Sequence, residues 1–89
     1  MTESSDHARD RIIDAATRLF AALGYDGTST RMIAEAAGLN VATVAYHVGG
    51  KRDLYIAVME RAHQIERALL SEAVAQVEDA AGLLTLVDR

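Results

Sequence analysis

Hydrogen-bond donors gather in two short stretches of the chain. The first stretch is Thr28-Ser29-Thr30-Arg31, and the second contributes Asn40, Thr43, Tyr46, His47 and Lys51. Hydroxyl, amide, imidazole and ammonium groups donate hydrogen bonds to phosphate oxygens, and a guanidinium can also bind the edge of a base. These residue types therefore indicate a surface that binds a phosphate-bearing partner.

A third stretch of the chain, further along the sequence, suggests metal binding as an alternative. Glu60, His63 and Glu66 are three residues apart, which places them on one helix face. Carboxylate-bridged di-metal bundles use Glu-x-x-His twice, whereas this chain has one copy. The sequence also lacks a glycine-rich phosphate loop, Gly-x-Ser-x-Gly and a zinc ligand set. We therefore expect a solvated helix face at this position, no enzyme activity and no cofactor.

Length and composition limit the chain to one small domain, or one domain with part of another. It has 89 residues, of which 51% are hydrophobic, and it contains no proline and no cysteine. This composition favours helix and excludes both a disordered segment and a disulfide framework. No run approaches the roughly 20 apolar residues that span a bilayer, and the start is unlike a signal peptide. We expect a soluble, cytoplasmic protein that does not bind membranes.

The net charge of −4 is distributed unevenly along the chain. Residues 1–52 carry six basic and six acidic side chains, whereas residues 53–89 carry three basic and seven acidic ones. Within residues 28–52, Arg31, Lys51 and Arg52 outweigh Glu35. A basic patch on an acidic body is compatible with a face that binds nucleic acid.

Apolar periodicity predicts an all-α fold that begins with three helices. The stripe of helix one comprises Ile12, Ile13, Ala16, Leu19, Phe20 and Leu23. Gly24 ends this helix, and residues 25–27 form a turn. Helix two is predicted to start at Thr28 or Ser29, with Ile33, Ala34 and Ala37 facing inward.

Gly38 stops helix two, and Asn40 is a suitable N-cap for a helix three that ends near Val48. Val44 and Val48 face the core in this prediction, which leaves the remaining side chains mostly outward: Val41, Ala42, Thr43, Ala45, Tyr46 and His47. Two short helices around a glycine turn are the geometry that lays a helix into the major groove of DNA.

A long fourth helix is predicted from Lys51 to about Val77, with a partial fifth helix over residues 83–87. We divide the chain into an N-terminal arm with a helix-turn-helix unit, residues 1–52, and a remainder, residues 53–89. The remainder holds helix four and the start of a truncated C-terminal region.

From Arg11 to Val58 the sequence resembles the N-terminal domain of the tetracycline-repressor (TetR) family of bacterial regulators. The resemblance is carried by three fragments: Ile13-x-x-Ala16-x-x-x-Phe20-x-x-x-Gly24-Tyr25, Thr28-Ser29-x-Arg31-x-Ile33-Ala34-x-x-Ala37-Gly38-Leu39 and Thr43-Val44-x-Tyr46-His47-x-Gly49-x-Lys51-x-x-Leu54-Tyr55. It implies a sequence-specific transcriptional regulator, most often a repressor, that binds a near-palindromic double-stranded DNA operator as a homodimer. It also implies a small-molecule effector, although the domain for that effector is largely missing here.

The resemblance assigns roles to individual residues. Phosphate contacts are implied for Thr30, Thr43, Tyr46, His47 and Lys51, and positions that reach base edges for Arg31, Val41 and Ala42. Thr28, Ser29 and Asn40 complete the predicted DNA-binding set, because they lie at the starts of the two short helices.

Three positions of the sequence depart from this family, and one of them is Ala45, which occupies a place often filled by tyrosine. Gly50 stands where a serine or threonine usually caps helix four, and Val48 stands where phenylalanine is usual. A non-enzymatic helical protein–protein interaction module is the alternative interpretation, in which the long helix pairs with a partner. That alternative leaves the polar tip of helix three unexplained.

Overall fold

The computed structural model describes residues 5–87, and these residues form four α-helices. They are α1 (Ser5–Leu23), α2 (Thr30–Ala37), α3 (Val41–His47) and α4 (Lys51–Val87). α1 packs against each of the other three helices, and α2 also packs against α3. The all-α prediction is confirmed, because no strand occurs among the described residues.

One apolar core lies where α1 meets the other helices. Its largest fully buried side chains are Ile12, Ile13, Ile33, Val44 and Leu54. Ala34 and Ala37 are also buried, which allows α2 to approach its neighbours closely. Each of the four helices thus contributes to the same core.

The predicted stripe of α1 is confirmed except at its last residue. Phe20 is buried and Leu19 packs at the edge of the core, but the side chain of Leu23 is 48% exposed. Leu23 is the final residue of α1, and Gly24 then turns the chain with φ 78°. A period of 3.6 residues predicts which side of a helix is buried, but not where along the helix the covering elements end.

The predicted fifth helix is wrong. α4 is one helix of 37 residues that runs from Lys51 to Val87 and passes through Gly82 without a break. A glycine inside a helix costs only about 1 kcal/mol relative to alanine. The neighbouring Ala80, Ala81, Leu83 and Leu84 are strong helix formers, so the helix continues.

α4 has a packed part and an exposed part. Leu54 and Ala57 lie in the core, so the predicted division of the chain between residues 52 and 53 falls within α4. Between Arg61 and Leu84, the large apolar side chains on α4 are exposed: Ile65, Leu69, Leu70, Val74, Val77, Leu83 and Leu84. Within residues 5–87, no helix combines the length and apolar content needed to cross a bilayer.

Polar contacts fix α1 to its neighbours. The Arg61 guanidinium forms an ion pair with Asp14 at 2.7 Å and donates to the Thr17 hydroxyl at 3.3 Å. Arg11 donates to the carbonyl oxygen of Ala37 at 2.5 Å, at the C-terminal end of α2. These contacts orient α2 and α4 on the surface of α1.

We expect Phe20→Ala to lower the free energy of unfolding by about 3–5 kcal/mol, because it removes a buried ring from the core. Leu23→Ala is the matched control three residues later, and its cost should stay below about 1 kcal/mol because the side chain is largely exposed. Urea denaturation followed by circular dichroism at 222 nm measures both values. Equal losses for the two variants would contradict this core.

Candidate nucleic-acid interface

Ser29 starts α2 as its N-cap. Its backbone is extended (φ −118°, ψ 158°), and its Oγ accepts a hydrogen bond from the Met32 N–H at 3.1 Å. This satisfies one of the free donors at the helix start. Thr30 and Arg31 follow in the first turn, where Thr30 is half-buried and Arg31 is exposed. Arg31 places a positive charge near the positive end of the α2 helix dipole, which is unfavourable. The first turn of α2 has no acidic residue that would offset this repulsion.

Thr28 does not lie on this surface, which corrects its place among the predicted contacts. Its side chain is 2% exposed, and its hydroxyl lies 2.8 Å from the Gly24 carbonyl oxygen and 3.1 Å from that of Leu19. A buried hydroxyl needs such partners. Thr28 therefore ties the α1–α2 turn to the end of α1, and α2 starts one residue after Ser29.

The turn between α2 and α3 is built on Gly38. This residue adopts the left-handed conformation (φ 73°, ψ 29°), which other residues rarely adopt. The Leu39 N–H donates to the Ala34 carbonyl oxygen at 2.9 Å, which closes the end of α2. The predicted stop at Gly38 is confirmed, and the chain is redirected into α3.

Asn40 caps α3 and also holds Thr43. Its Oδ1 accepts from the Thr43 backbone N–H at 2.8 Å and from the Thr43 hydroxyl at 2.9 Å. The predicted N-cap at Asn40 is thus confirmed. In this arrangement the Thr43 hydroxyl proton points to Asn40, so a phosphate contact by Thr43 requires its hydroxyl to rotate.

α3 has an inner and an outer side. Val44 is 1% exposed and Val48 packs at the edge of the core, as predicted. On the outer side the Tyr46 ring is 83% exposed, and it meets the half-buried His47 ring edge-on at 5.1 Å between centroids. The other outward residues are exposed as well: Val41, Ala42 and Ala45.

Asp53 supplies the cap that Gly50 lacks at the start of α4. Its Oδ2 accepts a hydrogen bond from the Gly50 N–H at 3.0 Å. Gly49, the residue before Gly50, has φ 131°, and a β-carbon added to it would overlap the Asp53 carboxylate. Sequence reasoning missed Asp53, although an acidic residue three positions after the N-cap residue is half of a capping box.

Lys51 stands at the first position of α4, with its charge over an aromatic ring. Its Nζ lies 4.2 Å from the centroid of the Tyr25 ring. Tyr25 belongs to a cluster of three rings with Phe20 and Tyr55, at centroid distances of 5.2 to 5.8 Å. Sequence reasoning missed this cluster because its members come from α1, the first turn and α4, with no periodic spacing.

Ten of the eleven predicted contact residues thus lie at least partly exposed, and Thr28 alone is buried. They occupy the start of α2, the outer side of α3 and the first turn of α4. Among residues 5–87, no group of three or more histidine, aspartate or glutamate side chains is placed to hold a metal ion. What the arrangement offers chemically is hydrogen-bond donors and positive charge.

The helices that bear these residues match a known family. The sequence model described as bacterial regulatory proteins, tetR family, matches residues 12–58, which is 47 of the 89 residues. This segment starts in α1, contains all of α2 and α3, and ends in α4.

Curated relatives are named as transcriptional regulators. The chain is 42% identical over 57 residues to CecR of Shigella flexneri, a transcriptional dual regulator, covering 64% of this chain and 25% of CecR. It is 31% identical over 70 residues to AcnR of Corynebacterium glutamicum, a transcriptional repressor, covering 79% of this chain and 35% of AcnR.

A solved structure shows the same fold. HlyIIR, a hemolysin II transcriptional regulator, superimposes with a TM-score of 0.62 at 38% identity, covering 64% of this chain and 32% of HlyIIR. The chain therefore spans about a quarter to a third of the length of these relatives. Because the family match includes more than half of the chain and its whole helix-turn-helix unit, the chain belongs to the TetR family of bacterial regulatory proteins.

Proposed function

We propose that this chain is the sequence-specific DNA-binding unit of a transcriptional regulator, with α3 as the helix that enters the major groove. One observation carries the proposal: Val44 is buried while Tyr46, two residues later, is 83% exposed. The core therefore holds one side of α3 and leaves the other side open to a duplex. The names of CecR and AcnR as transcriptional regulators support this function.

Phosphate binding accounts for most of the polar residues on this surface. The proposed contacts are Thr30, Thr43, Tyr46, His47 and Lys51, which can all donate hydrogen bonds. Thr30 also lies at the start of α2, where free N–H groups and the helix dipole favour an anion. Such contacts fix the position of the protein on DNA and carry no sequence information themselves.

Base recognition falls mainly on Arg31. It is exposed in the first turn of α2, and arginine binds guanine in a bidentate manner. Val41 and Ala42 are exposed on α3 but have no hydrogen-bonding groups, so they can contact only thymine methyl groups. With so little hydrogen bonding available on α3, DNA shape contributes the rest of the specificity.

The complete regulator is proposed to bind a near-palindromic operator as a homodimer and to repress transcription in the cytoplasm. AcnR is named as a repressor, which supports this sign of regulation. The chain matches only 25% of CecR and 35% of AcnR, so we place the dimerisation surface and the effector site of the complete regulator outside the residues of this chain.

A helical interaction module is the second candidate, and the apolar side chains exposed on α4 beyond Arg61 favour it. Gel retardation of random duplex DNA at about 50 mM and about 200 mM salt separates the two candidates. A DNA-binding unit retards the duplex and loses affinity steeply with salt. A helix-pairing module shows neither effect.

We expect Lys51→Ala to reduce the slope of log K against log salt by about 0.9, since one phosphate contact is lost. Arg67→Ala is the matched control, because Arg67 is exposed on the same helix but lies about 24 Å further along it. The control should leave the slope unchanged. Fluorescence anisotropy with a labelled duplex over a salt series measures both slopes. Equal slopes for Lys51→Ala and the unmodified chain would remove Lys51 from the phosphate contacts.

We expect Arg31→Ala to relax sequence preference at one base pair per half-site and to cost about 1–3 kcal/mol of specific binding. Selection of bound duplexes from a random pool, carried out with both proteins, measures the change. The unmodified chain should recover a defined motif, and half-sites one helical turn or a multiple apart would support a dimer. A loss of affinity that is even over all sequences would show that Arg31 reads no base.

A further inference from the structure

We propose that Tyr25 is a positioning residue for DNA binding, because the face of its ring holds the Lys51 ammonium group ready to meet a phosphate. The inference rests on the proposed function, in which Lys51 contacts the DNA backbone. Tyr25 itself acts through Lys51 and requires no contact with the duplex.

The geometry fits an attraction between the cation and the ring. The Lys51 Nζ lies 4.2 Å from the centroid of the Tyr25 ring, within the roughly 6 Å over which such pairs attract. A ring face covers only one side of an ammonium group. The other side keeps N–H donors for a phosphate oxygen.

The Tyr25 ring is itself held in place. It stacks on Phe20 with an interplanar angle of 13° and meets Tyr55 edge-on at 87°. Phe20 is 8% exposed, and it also meets Tyr55 edge-on. The ring that supports Lys51 is therefore anchored to the core through α1 and α4, although Tyr25 lies in the turn between α1 and α2.

Lys51 gains from such support for two reasons. It occupies the first position of α4, where the positive end of the helix dipole repels its charge. A free lysine side chain also has many rotamers, and fixing them on binding costs entropy. A ring that fixes the ammonium group before DNA arrives lowers this cost, as other pre-organised contacts do.

The test is a double-mutant cycle with Tyr25→Leu and Lys51→Ala, with affinity for one fixed duplex as the measurement. We expect Tyr25→Leu alone to weaken binding about two- to five-fold, the range of an exposed cation–ring pair. In the Lys51→Ala background the same change should have no further effect. Tyr25→Phe keeps the ring face and should restore binding.

A second measurement needs no DNA. Ring current from Tyr25 should shift the Lys51 ε-methylene proton resonances upfield, and this shift should persist in Tyr25→Phe and disappear in Tyr25→Leu. If the chain binds no DNA while the shift is present, the proposed function fails although the contact exists. If the chain binds DNA but Tyr25→Leu weakens the affinity by the same factor with and without Lys51, the positioning role is overturned.

Two further outcomes are decisive. An increase in affinity for Tyr25→Leu would mean that the ring competes with DNA for Lys51, which overturns the proposal. If Tyr25→Leu fails to fold, as its thermal transition would reveal, a ring-fluorinated phenylalanine at position 25 replaces it. Fluorine weakens the negative face of the ring and keeps its shape, so affinity should fall relative to Tyr25→Phe. Equal affinity of the fluorinated and plain rings would overturn the proposal.

Discussion

Burial of one side of α3 is the constraint on which the rest of the structure depends. A helix of seven residues does not persist alone in water, because too few hydrogen bonds repay its nucleation. Val44 supplies the tertiary contact, since it is buried in the same cluster as Ile12 and Ile33. Because successive helical residues are about 100° apart, fixing Val44 inward also fixes Tyr46 and Ala42 outward.

The residues that precede α3 hold it in this orientation through hydrogen bonds to the backbone. Gly38 turns the chain in a conformation that a side chain would strain, and Asn40 then caps the new helix. Arg11 reaches from α1 to the last carbonyl of α2, so the helix-turn-helix unit is tied to α1 by a polar contact as well as by its core. The chain has a net charge of −4, and this surface carries few cations. An anion can therefore bind only where the fold brings the hydrogen-bond donors together.

Local signals allowed much of this arrangement to be predicted from the sequence. Apolar periodicity and glycine stops placed α1, α2 and α3, and Asn40 was identified as a cap from its residue type alone. Contacts between distant residues were not predictable in this way. Thr28 is a residue type that favours helix starts, yet its side chain is buried and its hydroxyl donates to the Leu19 carbonyl oxygen of α1. The Phe20–Tyr25–Tyr55 cluster joins positions up to 35 residues apart. The predicted end of helix four near Val77 was wrong, because the helix-forming residues around Gly82 let α4 continue to Val87.

The most direct test of the DNA-binding account is a titration of the 15N-labelled chain with duplex DNA, followed by amide chemical shifts. The account predicts shifts in the amides at the start of α2, along α3 and in the first turn of α4, with the exposed end of α4 unaffected. Shifts confined to α4 beyond Arg61, or none at a saturating concentration of DNA, would contradict it.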